Sequence, residues 1–518
     1  MSSINRKEFD NQPNLSGGHL VKNSFLNLFG HGLPMIVAFF TMPFIIEGLG
    51  TERFGVLTLA WMVVGYFSLF DLGLGRATTK FVAEFSASGD SEHTADLIWA
   101  SIYMILGFSV FGVIIAILFT PYLVNNILNI EPGVIDEAIS SFYLLAGSIP
   151  IVLGTTSMRG ILEAHQKFKI INAIKIPTYI AAFVTPLLVL PFTNNLLAVV
   201  ILLVLSRLAA LIAYTIYSFK IVPGLGRIRS PRKALMKKLI TYGGWLTASN
   251  VIWPFMNYLD RFIIGAMLTM TMVAYYVTPY ELVTKLLVIS GSLLAVMFPA
   301  FSALSVGQYQ KFMELQQKAV KYMILILTPV VFVLIASAKP FFSLWLGEVF
   351  VENSSVILQL LGLGILLNSI SQVFSSAIQA MNRPDIPAKL HMIEFPLYLG
   401  MLYYFIHAFG IVGAAFAWLL RIVLDSSLYF YLYYRLIPLE QEFHIKPEPK
   451  FIAWGIALVI CGFGISAFQS YIYIFATIPI VLIGALLIVW KQFLKDDEQN
   501  YIKTILLNLT GRKKAPQC

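Results

Sequence analysis

Cysteine is nearly absent from this chain, and charge is scarce. Two cysteines occur in 518 residues, Cys461 inside an apolar run and Cys518 at the last position. They supply neither a disulfide framework nor a cysteine-based metal site. Charged residues make up 12% of the sequence and hydrophobic ones 58%, with a mean hydropathy of +0.78. So little polar surface cannot cover a soluble protein of this length. The first 19 residues, MSSINRKEFDNQPNLSGGH, lack the apolar core of a cleavable signal peptide and are expected to form a cytoplasmic tail. No phosphate-binding G-x-x-x-x-G-K-[ST] loop is present, which removes ATP as a direct energy source.

What is abundant is apolar sequence in blocks of about 20 residues, the length that crosses a hydrocarbon core of ~30 Å. The expected fold is an all-α polytopic membrane protein with fourteen transmembrane helices. The spans are 25–47, 55–75, 97–119, 138–160, 171–191, 196–218, 239–268, 273–303, 322–345, 355–380, 388–408, 410–434, 451–471 and 474–494. The longest connections are 120–137 on one side and the basic 219–238, FKIVPGLGRIRSPRKALMKK, on the other. With the N-terminus inside, 30 of the 36 lysines and arginines fall in or beside cytoplasmic segments. Only Arg53 and Lys339 fall outside, and Arg207, Arg261, Lys285 and Arg421 fall within spans. That asymmetry puts both termini in the cytoplasm. The seven basic residues of 219–238 either set topology alone or also attract anionic headgroups.

The sequence repeats itself. FIIEGLGTERFGV from Phe44 returns as FIIGAMLTMTMVA from Phe262, and Phe85-Ser86-Ala87 returns as Phe301-Ser302-Ala303. Ala164, Lys167 and Ile170 match Ala380, Arg383 and Ile386, each 216 positions later. An even number of helices per repeat gives both copies the same orientation, a plan that places a transporter's substrate site at the repeat interface. The expected organisation is a tail (1–24), an N-lobe of six helices (25–218), the basic linker (219–238), a C-lobe of six helices (239–434), a helix pair with its preceding loop (435–494) and a cytoplasmic tail (495–518).

Arg207, in VLSRLAALIAYTIY, has a counterpart in Arg421, in WLLRIVLDSSLYFYLYY, 214 positions later. Each stands about 13–14 residues from the basic residue that ends its helix, hence roughly 20 Å deep. A charge at that depth costs at least ~2.5–3.5 kcal/mol and needs a reason. Either each arginine locks neighbouring helices through a carboxylate, as Arg421 and Asp425 are spaced to do at i,i+4, or both meet an anionic substrate in a water-filled cavity. The other charges within spans are Asp71 in DLGLGR, Asp260-Arg261 in NYLDRFIIG, Glu281 and Lys285 at i,i+4 in YELVTKLL, and Glu394. Arg207, Arg421, Arg261 and Lys285 are the candidate substrate cations. Asp260, Glu281, Asp71, Glu394 and Asp425 are the candidate coupling acids, for H+ or Na+. No cofactor and no resident metal are expected.

The stretch PFIIEGLGTERFGVLTLAW…FSLFDLGLGRATTKFVAEF resembles the opening of Wzx-type oligosaccharide and polysaccharide flippases, within the multidrug/oligosaccharidyl-lipid/polysaccharide exporter superfamily. LDRFIIG with AYYVTPYELV…FPAFSAL, and PFFSLWLGEVF, are similar to later segments of the same family. The resemblance runs from about residue 20 to 495. It implies a V-shaped exporter fold of two six-helix lobes plus a C-terminal pair, working by alternating access. One departure matters: Met42-Pro43 stand where the second repeat has Asp260-Arg261.

Three functions compete. A flippase for an undecaprenyl-diphosphate-linked oligosaccharide, serving O-antigen, capsule or exopolysaccharide, needs cations for its diphosphate. A cation-coupled multidrug exporter needs a carboxylate cluster in a small pocket, whereas the acids here are scattered along the sequence. A membrane polymerase or glycosyltransferase needs a folded outside segment or an acidic metal motif, so the protein is expected not to be an enzyme. The expected partners are the lipid-linked oligosaccharide, membrane lipids and other assembly proteins such as a polymerase or chain-length regulator, with no nucleic acid. The expected location is the bacterial inner membrane.

Overall fold

The computed structural model describes residues 17–67, 73–87, 90–230, 232–250, 252–305, 308–436, 449–494, 496 and 498–500, and the described residues contain no strand. The helices are α1 (Gly17–Leu49), α2 (Thr51–Phe67), α3 (Leu74–Ala87), α4 (Ser91–Tyr122), α5 (Ile135–Gly147), α6 (Ile149–Ala164), α7 (Phe168–Val189), α8 (Leu196–Ile221) and α9 (Lys233–Asn250). They continue as α10 (Ile252–Met267), α11 (Met270–Thr284), α12 (Leu287–Leu304), α13 (Tyr309–Trp345), α14 (Glu348–Ala380), α15 (Asp385–Leu436), α16 (Pro449–Ser466) and α17 (Tyr471–Ile488).

Among the described residues, nine helices are long and apolar enough to cross a membrane, and two shorter apolar ones cover Leu33–Leu49 and Lys450–Ser466. The fourteen expected spans outnumber these for a structural reason. α15 enters the nine once, as a 52-residue helix, yet Gly410 breaks it with φ 59° and ψ −141°. That left-handed geometry is open to glycine and costly for other residues. The chain reverses there, since a Cβ at Gly413 would meet the Phe405 carbonyl oxygen. Expected span 55–75 falls largely on the 17-residue α2, and 25–47 and 451–471 fall on the two shorter apolar helices, whereas 138–160 lies within one of the nine, Pro132–Ala164.

The helices are apolar on both faces, as lipid-facing helices must be. On α8, Val200, Leu203, Ala210 and Tyr214 are buried while Ile201, Leu205, Leu208 and Ile212 are exposed. On α4, Val110, Phe111, Ile114 and Leu118 are exposed, and on α17, Ile472, Ile480, Ile483 and Leu487. A water-soluble surface does not carry apolar stripes of that extent. Polar ends are capped locally: Asp90 accepts from His93 N before α4, and Asn195 accepts from Leu197 N before α8.

The chain divides into two compact units, one of residues 1–258 with 269–274, the other of residues 259–268 with 275–518. In the first, α3, α4 and α8 pack on α6, and α7 packs on α1 and α8. The basic linker folds against this unit's own surface. Arg229 and Arg232 reach the buried Asp96 at 2.9 and 2.7 Å, and Trp99 Nε1 donates to the Leu225 carbonyl. Lys238 lies over Phe81 and Phe85. With Lys220 over Tyr217, four of the seven linker cations are therefore engaged within the protein. In the second unit, α13 packs on α14, α16 and α17, and α14 packs on α15. Phe312, Phe332, Phe374, Tyr433 and Trp454 belong to its apolar core.

Candidate functional site

Hairpin register assembles the charged groups of the second unit. Asp260 on α10 and Tyr276 on α11 each stand eight residues from Leu268 at the turn, and the Tyr276 hydroxyl donates to Asp260 Oδ2 at 2.7 Å. Asp260 Oδ1 accepts from Arg261 N at 2.8 Å. The Arg261 guanidinium lies 4.7 Å from the Tyr280 ring centroid and donates to Glu281 Oε1 at 2.9 Å. Lys285 Nζ takes the other Glu281 oxygen, also at 2.9 Å. Asp260 and Arg261 are buried. Two acids and two bases thus form one neutral quartet, so Arg261 and Lys285, candidate substrate cations in the sequence, share Glu281 as their counter-ion.

The second hairpin, reversing at Gly410, obeys the same rule. Arg421 and Tyr398 stand 11 and 12 residues from Gly410, and the guanidinium sits 5.0 Å from the Tyr398 ring centroid. Trp418, one turn nearer the tip, packs edge-on against Tyr280 at 6.0 Å. Its ring lies so close to Gly364 of α14 that a Cβ there would fall 2.2 Å from it. Arg421 therefore lies on the face of the Tyr398 ring, a setting suited to a guanidinium. The expected i,i+4 pair with Asp425 does not form: Asp425 Oδ2 accepts from Ser371 of α14 at 3.0 Å, and Arg421 Nε is buried without an acceptor. Side chains on one helix face turn toward a better partner when a neighbouring helix offers it.

Asp425 and Glu394 stand 15 and 16 residues from Gly410 and meet across the same hairpin. With His391 they bring one ligand atom each to within 4.8 Å of one another.

Arg207 lies in the first unit, half-buried, on the α8 stripe of Leu203, Ala210 and Tyr214. Among the described residues no carboxylate pairs with it. Asp71 lies outside the described residues.

The sequence reading passed over one site. Glu52 is buried, and its carboxylate accepts from Glu131 N at 3.0 Å and from both the backbone N and the hydroxyl of Thr271 at 2.9 Å. Arg53 beside it forms a forked pair with Glu137, 2.9 Å at each bond. At Gly55 a Cβ would lie 2.0 Å from the Met270 carbonyl oxygen. GTERFG therefore fixes a close contact with the α10–α11 turn inside the first unit. The available signal was an acid, Glu52, inside the first copy of a repeat whose second copy has no acid at the matching place.

Two-sided apolar helices, a hairpin broken at Gly410 and buried charge on helix faces define a polytopic membrane protein. Residues 20–305 match the model of the family described as polysaccharide biosynthesis protein, and the chain belongs to that family. It is 32% identical over 419 residues to a Shigella flexneri protein named "Putative O-antigen transporter", covering 80% of this chain and 98% of that one. Its fold is similar to that of the lipid II flippase MurJ in an inward closed conformation, with a TM-score of 0.69 at 15% identity, covering 94% of this chain and all of MurJ. An inward-facing multidrug resistance transporter of the MATE family gives a TM-score of 0.68 at 16% identity, covering 80% of this chain and 97% of that one. The protein is thus a helical exporter-fold transporter of polysaccharide biosynthesis, and not an enzyme.

Proposed function

We propose that this protein is a flippase that carries an undecaprenyl-diphosphate-linked oligosaccharide from the cytoplasmic to the periplasmic leaflet of a bacterial inner membrane. It would work by alternating access, with fourteen crossings and both termini cytoplasmic, and would supply O-antigen or a similar surface polysaccharide. The observation that carries the reading is the pair Arg207 and Arg421. Each is a guanidinium deep in an apolar helix with no ion pair among the described residues, where a lone cation is costly. An anionic substrate would supply the missing charge, and a forked guanidinium suits a diphosphate. The family membership and the name of the Shigella relative support the same substrate class.

Complementation of a flippase deletion that makes a matching glycan tests this. Arg207→Lys keeps the charge but loses the fork and should export weakly; Arg207→Gln and Arg421→Gln should accumulate in the membrane and export nothing. Normal export by both Gln variants would end this reading. Failure of both to accumulate would make the arginines helix-locking groups.

A further inference from the structure

The basic linker divides its cations into two sets. Arg229 and Arg232 turn inward to Asp96, and Lys238 lies over Phe81 and Phe85 with Glu84 at 3.6 Å. Val222 and Leu225 are buried, and the Leu225 carbonyl accepts from Trp99 Nε1 at 3.2 Å. The linker is therefore an ordered surface of the first unit. Arg227, Lys233 and Lys237 stand on its outside, exposed and without an ion pair among the described residues. No Asp or Glu occurs in residues 164–259, so the surrounding sequence offers them no partner. Like charges so placed repel one another until an anion lies among them.

Topology accounts for the number of these cations; it does not account for the apolar residues among them. Ile228, next to Arg227, is 77% exposed. On α9, Lys233, Lys237 and Ile240 follow at i, i+4 and i+7 on one helix face, and Ile240 is half exposed while Leu239 beside it is buried. At the other end of the linker, the lipid-facing stripe of α8 runs through Ile212 and Ile216 to Tyr217. There Lys220 lies 5.7 Å from the ring centroid. An aromatic residue with a cation at the end of an apolar stripe marks the headgroup level. The order of two lysines and then Ile240 marks the same level on α9. A short linker pinned between two such helix ends stays at that level, with phosphates on one side and acyl chains on the other. An acidic peptide would satisfy the cations but leave Ile228 and Ile240 without apolar cover.

We infer that Arg227, Lys233 and Lys237, with Ile228 and Ile240 as apolar anchors, form a surface that binds anionic glycerophospholipid headgroups. The cations meet headgroup phosphates, and the isoleucines enter the acyl boundary. Arg229, Arg232 and Lys238 take no part in the binding; they hold the linker to α3 and α4 so that the outer set is presented. The binding is independent of the flippase reading, because it needs no transported substrate.

The experiment measures lipid binding to the purified full-length protein by native mass spectrometry. The probes are phosphatidylglycerol and phosphatidylcholine with the same acyl chains. The wild type should prefer phosphatidylglycerol, and raising the salt concentration should weaken that preference. A cation near an anionic surface strengthens attraction about fivefold, so Arg227→Gln, Lys233→Gln and Lys237→Gln should each weaken phosphatidylglycerol binding by about that factor. The triple variant should lose at least about tenfold, with phosphatidylcholine binding unchanged; the single variants carry the test where the triple does not accumulate. Arg227→Lys combined with Lys233→Arg and Lys237→Arg should bind as the wild type does. Ile228→Ser should weaken both lipids alike. The control removes three exposed lysines from elsewhere, Lys169, Lys311 and Lys318, and should keep the preference. An equal loss in the control would make the attraction diffuse and overturn the surface. An unchanged preference in the linker variants would leave these cations to topology alone. Equally tight capture of glycerol phosphate or a short polyglutamate, neither of which has acyl chains, would make the ligand a soluble anion and overturn the lipid assignment.

Discussion

The quartet around Glu281 offers a quantitative test, because its two ion pairs have the same length and different surroundings. Arg261 and Lys285 both stand 2.9 Å from a Glu281 oxygen, but 4% of the Arg261 side chain is exposed against 47% for Lys285. Distance therefore does not separate them; screening does. Two unit charges 4 Å apart attract by about 4 kcal/mol at an effective dielectric of 20 and by about 1 kcal/mol in bulk water. After desolvation, a shielded hydrogen bond to a charged group contributes about 1.5–3 kcal/mol. An exposed i,i+4 pair contributes about 0.3–0.5 kcal/mol. A double-mutant cycle isolates each interaction. The variants are Glu281→Gln, Arg261→Gln and Lys285→Gln with the two double variants, each unfolded in detergent micelles. The Glu281–Arg261 coupling should exceed the Glu281–Lys285 coupling several-fold. Equal couplings, or a larger one for Lys285, would refute the claim that burial sets the strength of this network.

Further outcomes follow from single contacts. Gly55→Ala drives a Cβ into the Met270 carbonyl and should lower the thermal midpoint by the equivalent of about 1–3 kcal/mol, the usual cost of overpacking; an unchanged melting curve would mean that the α10–α11 turn is not seated there. Gly364→Ala pushes Trp418 against Tyr280, so tryptophan emission should shift, and export should fall while the protein still accumulates. The backbone hydrogen bond from His93 holds the Asp90 carboxyl below its ordinary value. This cap therefore stabilises α4 above the unfolded carboxylate pKa and is lost as pH falls through the lower folded value; Asp90→Asn should remove that acid-side slope in hydrogen exchange of α4. Cysteines placed at Asn126, Asn194 and Glu352 should react with an impermeant reagent from outside, and one at Gly224 should not; labelling at Gly224 would invert the topology.

Fold class was legible because membrane crossing is written in composition: blocks of apolar residues between short, sign-biased loops leave few alternatives. The side-chain partnerships were less legible, and the reason is specific. Spacing along one helix suggested Arg421 with Asp425 and Glu281 with Lys285, and only the second pair forms. Partners across a hairpin depend on where the chain reverses. Once Gly410 is known as the reversal point, Arg421 opposite Tyr398 and Asp425 opposite Glu394 follow by counting residues. The same counting about Leu268 pairs Asp260 with Tyr276. Glu52 was harder, since Thr271 is 219 residues away and no helical period connects them.

The two kinds of buried charge differ in a way that bears on mechanism. Arg261, Glu281 and Lys285 have each other, so a substrate gains from them only by breaking bonds already made. Arg421 has the Tyr398 face and, among the described residues, no ion pair. An anion therefore gains more at Arg421, where no ion pair already made has to be broken, than at Arg261 or Lys285.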